Sequence, residues 1–309
     1  MSKHKSVLLD ECIENLNLKD NSIIVDCTLG YGGHSSEILK RISKGRLFAF
    51  DQDLEAISSS KQRLDEISYN YEIINSNFVN IKKELDKRNI KGVDGILYDL
   101  GVSSPQLDED YRGFSFHQDA RLDMRMDQNN SLDAYYVVNN YSYDKLVEIF
   151  YKYGEEKYAT SIAKNIIKDR TIKNIETTFE LVEIIKKSMP MKAKRDGHPA
   201  RRSFQAIRIE VNRELEVLEQ ALEQALDLLN IGGRLCVISF QSLEDRIVKN
   251  KFRTLSEVPE HIKKLPYIPD EYQPKFKIIS KGITAINEEL ENNSRSHSAR
   301  LRVIEKCKE

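Results

Sequence analysis

The run Asp26-Cys27-Thr28-Leu29-Gly30-Tyr31-Gly32-Gly33-His34-Ser35 sets three glycines between a short apolar stretch, Ser22-Ile23-Ile24-Val25, and a helical pattern carrying Ile38, Leu39 and Ile42. Glycine lets a backbone turn tightly and come close to a ligand, because no Cβ stands in the way. The helix that follows then points its free N–H groups at whatever sits there. A second apolar stretch, Arg46-Leu47-Phe48-Ala49-Phe50, ends in Asp51, about 20 residues on, the distance at which an acidic residue bonds a ribose hydroxyl. This combination predicts a nucleoside-cofactor site; an ordinary glycine turn without a ligand is the competing reading and leaves Asp51 without a role. A further loop, Asp99-Leu100-Gly101-Val102-Ser103-Ser104-Pro105-Gln106, follows another apolar stretch. In open parallel sheets, ligands sit beyond the carboxyl ends of the strands. Ser103, Ser104 and neighbouring carbonyls would offer hydrogen-bond acceptors there, although a polar turn capped by Ser and Pro would look the same. His34 has no second ligand at a suitable spacing, so no metal is expected and His34 reads as a loop residue beside the cofactor.

These residues need a frame. From Ser22 to Asp99 short apolar runs alternate with helical ones, the pattern of a parallel sheet with crossover helices. Strands are expected at 22–27, 46–50, 71–75 and 93–98, with a short helix near the N-terminus covering the sheet. Beyond Gln106 the pattern changes. Residues 113–127 are charged and irregular, as in a long functional loop, and 142–187 carry helical spacing throughout, with Leu146, Ile149, Phe150 and Tyr153 on one face and Tyr158, Ile162, Ile166 and Ile167 on another. Val211, Leu215, Leu218, Leu222, Ala225 and Leu229 then predict one long helix, ended by Asn230-Ile231-Gly232-Gly233. Residues 234–240 return as a fifth strand, and a final pair is expected around 276–279 and 301–304. The chain therefore reads as an interrupted α/β domain: residues 1–109 as the first part of the core, 110–210 as a helical insert, and 211–309 as the second part.

Composition narrows the partners. The 309-residue chain has a formal net charge of −1, so no global field draws it to nucleic acid or membrane and any such partner must meet a local patch. One patch exists: nine cations, Lys186, Lys187, Lys192, Lys194, Arg195, Arg201, Arg202, Arg208 and Arg213, stand against Asp196 and Glu210 over residues 186–213. That density suits a phosphate backbone, with His198 and Phe204 adding stacking. A helix end balanced by Glu214, Glu216, Glu219 and Glu223 is the plainer alternative. The four cysteines are scattered without a C-x-x-C pair, which disfavours a zinc site or a disulfide framework. There is no N-terminal signal pattern and no apolar run of about 18 residues, so a cytoplasmic protein without a membrane partner is expected.

The glycine run distinguishes cofactors. A dinucleotide fingerprint wants a third glycine at position 35, where this chain has Ser35. An acidic strand end followed by Gly30-x-Gly32-Gly33 resembles instead the first motif of S-adenosylmethionine (SAM) methyltransferases, which bind no pyrophosphate. The 99–106 loop resembles the proline-containing loop of methyltransferases that modify exocyclic amines, with one proline here. Nearly end to end, the chain resembles the MraW-type family of ribosomal RNA small-subunit methyltransferases. The resemblance rests on His4-Lys5-Ser6-Val7-Leu8-Leu9, Gly32-Gly33-His34-Ser35, Asp51-Gln52-Asp53, Asn77-Phe78, Asp99 to Gln106 and Arg112-Gly113-Phe114-Ser115-Phe116. It continues through Leu122-Asp123-Met124-Arg125-Met126-Asp127, His198-Pro199-Ala200, Phe204-Gln205-Ala206, Arg208 to Asn212, Gly232-Gly233-Arg234-Leu235, Ser242-Leu243-Glu244-Asp245-Arg246 and Asn293-Ser294-Arg295-Ser296.

The resemblance implies a Rossmann-like SAM-dependent methyltransferase core with an inserted all-helical domain. It implies methyl transfer from SAM to the exocyclic N4 of a cytidine in the decoding region of 16S ribosomal RNA, within the small ribosomal subunit. Gly32, Gly33, His34, Asp51, Phe78, Asp99 and Gln106 would contact SAM. Ser103 and Ser104 would accept the amine protons, and Lys192, Lys194, Arg195, Arg201 and Arg202 would grip RNA. The chain departs from the family in Gln241, where His is usual before Ser242-Leu243-Glu244-Asp245, in Arg121, where Pro is usual, and in Ser203, where Thr is usual. Gln241 removes any imidazole base from that position. Three alternatives stay open on the residues alone: a nicotinamide oxidoreductase, an RNA-binding assembly factor without catalysis, and a methyltransferase acting on DNA or a small molecule.

Overall fold

The computed structural model describes residues 6–101, 110–190 and 198–309. The described chain divides into two compact units, one drawn from Met1–Gly101 and Val217–Glu309, the other from Val102–Glu216.

The first unit is α/β. Its strands are β1 (Ile23–Asp26), β2 (Arg46–Asp51), β3 (Tyr71–Asn75), β4 (Val93–Asp99), β5 (Leu229–Ser239), β6 (Phe276–Ile283) and β7 (Arg300–Lys306), in the order β3-β2-β1-β4-β5-β7-β6. Pairing is parallel from β3 to β5; β7 runs antiparallel to both β5 and β6. The strands read as unbroken apolar runs because both faces are covered. Along β4, Ile96 and Tyr98 enter one apolar cluster and Leu97 the other; Leu235 and Val237 of β5 alternate in the same way with Cys236 and Ile238. Helices α1 (Leu9–Asn15), α2 (Gly33–Leu39), α3 (Leu54–Asp65) and α4 (Ile81–Asp86) punctuate the first four strands. The chain order reverses between β1 and β4, which makes their carboxyl ends the topological switch point where open α/β sheets hold ligands.

In the second unit the described residues are mainly helical: α5 (Ala134–Asn140), α6 (Tyr143–Gly154), α7 (Ala159–Arg170), α8 (Thr178–Lys187) and α9 (Arg201–Asn212). Asp133, Ser142 and Thr177 cap α5, α6 and α8 by accepting a backbone N–H of the first turn. Leu146, Ile149, Phe150, Ile162 and Ile166 are fully buried in one core with Leu122 and Met124. The expected long helix from Val211 does not form as one piece. Arg213 adopts a left-handed conformation (φ 51°) that ends α9, and α10 (Glu214–Leu228) starts afresh and leads straight into β5. The stretch between 110 and 133 has little regular structure, yet it is tied down. Asn212 donates to the Met124 carbonyl (2.8 Å) and the Arg208 carbonyl (2.9 Å), and accepts the Met126 N–H (2.8 Å). Met124 itself is fully buried with a positive φ of 59°, so this loop is a packed element.

Replacing Asn212 strands those backbone groups. Asn212→Ala is expected to destabilise the protein by about 2 kcal/mol, read as a lowered denaturation midpoint with an unchanged slope; a loss under about 0.5 kcal/mol would show that the clamp is not needed.

Candidate active site

Three adjacent parallel strands, β2, β1 and β4, each end in a carboxylate: Asp51, Asp26 and Asp99. Asp26 is buried and spent on the turn. Its Oδ1 accepts the Thr28 N–H (3.1 Å) and hydroxyl (3.5 Å), and its Oδ2 accepts the Ser35 hydroxyl (2.7 Å). The Thr28 hydroxyl oxygen in turn accepts the Asp99 N–H at 2.7 Å, joining the ends of β1 and β4. Asp51 braces the turn from the other side, accepting the Gly30 N–H (2.9 Å) and the Asp53 N–H (2.9 Å) on separate oxygens. Gly30 and Gly32 have positive φ angles of 49° and 72°, which only glycine adopts without strain. A Cβ on Gly33 would collide with the Ser6 hydroxyl. The three glycines therefore belong to the turn's geometry.

Of the residues singled out in the sequence, Gly32, Gly33, His34, Asp51, Phe78 and Asp99 all lie in the first unit. His34 differs from expectation. It sits in the first turn of α2, with 4% of its surface exposed, so it is no open loop residue. Its Nε2 meets the Val7 carbonyl at 3.2 Å and its Nδ1 lies 3.6 Å from Asp99 Oδ2, so the ring links the N-terminal segment to the end of β4. Phe78 opens a short 3-10 turn after β3, started by the Asn77 side chain accepting the Val79 N–H (2.9 Å). Its half-buried ring meets the edge of Tyr98 at 5.2 Å. Ser103, Ser104 and Gln106, and with them Lys192, Lys194 and Arg195, lie outside the described residues.

The electrostatics are unusual for three acids so close. Burial pushes all three carboxyls up: Asp51 to about 6 against its two N–H bonds, Asp99 to about 6 against the opposing pull of His34, and Asp26 in the same direction. Asp99 Oδ1 is shut off from solvent and has no hydrogen-bond partner among the described residues. An acceptor left so calls for a donor, and each Asp51 oxygen keeps a lone pair beyond its one N–H bond. SAM carries ribose hydroxyls and an ammonium group, which are donors of the required kind, and an adenine ring that Phe78 could meet. The residues present fit it. Among the described residues, no group of three or more His, Cys, Asp or Glu could hold a metal ion, and no helix is long and apolar enough to cross a membrane.

Two other sequence features prove to be structural. Gln241 donates through Nε2 to Glu244 Oε1 (3.0 Å), while Glu244, buried, accepts the Phe240 and Gln241 N–H groups at the start of the helix Ser242–Ser256 (α11). Asp245 forms a two-pronged pair with Arg302 of β7 (2.7 and 2.9 Å). The basic run is partly neutralised. Arg208 pairs with both oxygens of Glu214 (2.8 and 2.9 Å), Arg213 pairs with Glu216, and Lys186 with Glu183. Arg201 and Arg202 are exposed at the start of α9, Arg202 donating to the Glu155 carbonyl (2.8 Å).

The family model described as the MraW methylase family matches residues 1–307. A protein from Exiguobacterium sibiricum named ribosomal RNA small subunit methyltransferase H is 54% identical over 311 aligned residues, covering 100% of both chains. One of the same name from Lactobacillus delbrueckii subsp. bulgaricus is 51% identical, covering 98% of this chain and 99% of its own.

The raised carboxyls predict a pH effect with a definite sign. A carboxyl at about 6 in the folded protein and near 3.8 when unfolded keeps its proton where the unfolded chain has lost it. Its stabilising contribution is full below about pH 3.8 and lost as pH rises through about 6. Asp99→Asn, which fixes the neutral form, is expected to raise stability at pH 7.5 by up to about 3 kcal/mol and to change it little near pH 4. A variant that melts lower at pH 7.5 would contradict the burial account.

Proposed function

The chain belongs to the MraW methylase family, and on that premise we propose that it methylates the exocyclic N4 of a cytidine in 16S ribosomal RNA, within the small ribosomal subunit, using SAM. The observation that carries the reading is the braced glycine turn at the switch point, with spare lone pairs on Asp51 at the end of β2 and, among the described residues, an unpartnered oxygen on Asp99 at the end of β4. Bound SAM supplies a methyl group made electrophilic by its sulfonium. Everything else is asked of the chain.

In this reading Asp51 accepts ribose hydroxyls on the lone pairs that Gly30 and Asp53 leave free. Phe78 packs against the adenine, and Gln106 is read from the family resemblance as a further SAM contact. Asp99 Oδ1 accepts a donor of the cofactor. Gly32 and Gly33 keep the backbone low enough for close approach, and His34 holds Asp99 in place from behind. The cytidine amine is a poor nucleophile because its lone pair is delocalised into the ring. Ser103 and Ser104, with neighbouring carbonyls, accept its N–H groups and help it pyramidalise towards the methyl, so that positioning and hydrogen bonding supply the catalysis. The amine then loses a proton to such an acceptor or to water. Residues 110–210 serve as the RNA-gripping insert, with Lys192, Lys194, Arg195, Arg201 and Arg202 on phosphates. The cytidine is taken out of its stack before reaction. A ribosomal substrate makes this a cytoplasmic activity.

The test is transfer of labelled methyl from SAM to unmodified small subunits, with free ribosomal RNA and duplex DNA alongside. Label on N4 of a cytidine in the subunit is expected; label on DNA alone, or none on any substrate, would overturn the proposal. A second prediction isolates the ribose contact. Asp51→Ala is expected to weaken SAM binding about 10- to 100-fold by calorimetry, the loss expected for hydrogen bonds to a charged group, while Asp51→Asn loses less and RNA affinity is unchanged. Equal SAM affinity in Asp51→Ala would remove Asp51 from the cofactor site.

A further inference from the structure

The second unit contains a cluster of rings whose arrangement the sequence does not reveal. Phe116 lies face to face with His198, the ring centroids 4.3 Å apart and the planes 14° from parallel. His117 tilts against Phe116 at 4.6 Å and meets His198 at 5.2 Å. Beneath them Phe204, 3% exposed, turns its edge to Phe116 at 5.7 Å. Phe204 thus belongs to the core, and the rings nearer the surface are those of the 110–133 loop and of the residue that leads into α9.

Three features separate this cluster from ordinary packing. First, its outer member is polar and exposed: among the described residues the His117 ring makes no hydrogen bond, and only its backbone N–H is engaged, by the Ser115 hydroxyl (3.2 Å). Second, the His198 ring is oriented by its own stretch of backbone, its Nδ1 accepting the Ala200 N–H at 3.3 Å. Burial, His117 and Lys186 together disfavour its protonated form, so it presents an uncharged flat plate. Third, a cation lies near the plates: Lys186 is close enough to act on His198, and the exposed Arg201 opens α9 three residues after His198, its backbone N–H bonded to the His198 carbonyl (3.1 Å).

Exposed rings beside cations form the combination that holds a single-stranded nucleic acid, the base on the ring and the phosphate on the cation. A folded duplex keeps its bases stacked on each other and offers such plates nothing. We infer that Phe116, His117 and His198 form a stacking site for an unpaired base of the RNA substrate. The inference rests on the RNA reading above and adds to it where, and in what state of pairing, the strand is held.

The experiment uses the full-length protein with SAM present, a fluorescent single-stranded RNA dodecamer, its duplex form and a single-stranded DNA of the same sequence. His117 is exposed, so His117→Ala, His117→Phe and His117→Lys are expected to fold as the wild type does. His117→Ala is expected to bind the single-stranded RNA about tenfold more weakly, the effect typical of one lost base stack, with duplex affinity unchanged. His117→Phe restores binding and His117→Lys does not. Unchanged affinity in His117→Ala, or rescue by Lys and not by Phe, would overturn the stacking site and leave only a basic surface. Weakening on the DNA strand alone would overturn the assignment to RNA. Methyl transfer to small subunits by the wild type, run on the same preparation, separates the two claims. Transfer with an unaffected His117→Ala sinks the stacking site alone, whereas a wild type that neither binds RNA nor transfers sinks both.

Discussion

The constraint on which the first unit depends is the burial of carboxylates at the carboxyl ends of its central strands. Taking one charge out of water is expensive unless donors meet it. Asp26 is met in full, by Thr28 and Ser35, and so folds the turn. Asp51 is met halfway, by two backbone N–H groups that hold the turn against β2. Asp99 is met least, with one oxygen near His34 and the other without a partner among the described residues. This gradient from satisfied to unsatisfied runs from the residue that builds the site to the residues free to bind. Stability given up at Asp51 and Asp99 is what a ligand rich in donors would restore.

The same logic explains why so many characteristic residues turn out to be structural. Glu244 and Gln241 occupy each other at the start of α11, and Asp245 is held by Arg302. The place where the family resemblance leads one to expect His is here filled by an amide tied to a buried carboxylate, so an imidazole base at that position is not part of this chain's chemistry. In the second unit Asn212 does for the 124–126 backbone what Asp26 does for the glycine turn. Each of these side chains fixes a loop that has little regular structure of its own.

The sheet was legible in the sequence because strands covered on both faces leave unbroken apolar runs, and β1 to β4 lie within a residue or two of the expected positions. The start of β5 was not legible: Leu229 to Gly233 carry a helix-ending signature, yet they pair beside β4 with a register shift. The break at Arg213 was hidden too, since the apolar spacing continues through it and arginine gives no sign of a left-handed conformation. At the site, Gly30, Gly32 and Asp51 announced themselves by spacing. The burial of His34 did not, because its partners Val7 and Asp99 are 27 and 65 positions away. The ring cluster was half visible: His198 was suspected, whereas Phe116 and His117 lie about 80 residues upstream, and such pairing leaves no periodic trace.

The most direct test of this account is the titration of the aspartate side chains by carbon-13 NMR, with and without SAM. The account predicts that Asp51 and Asp99 titrate near 6 in the free protein and move down when SAM binds, as its donors favour the charged form. Ordinary values near 3.8 that SAM leaves unchanged would contradict it.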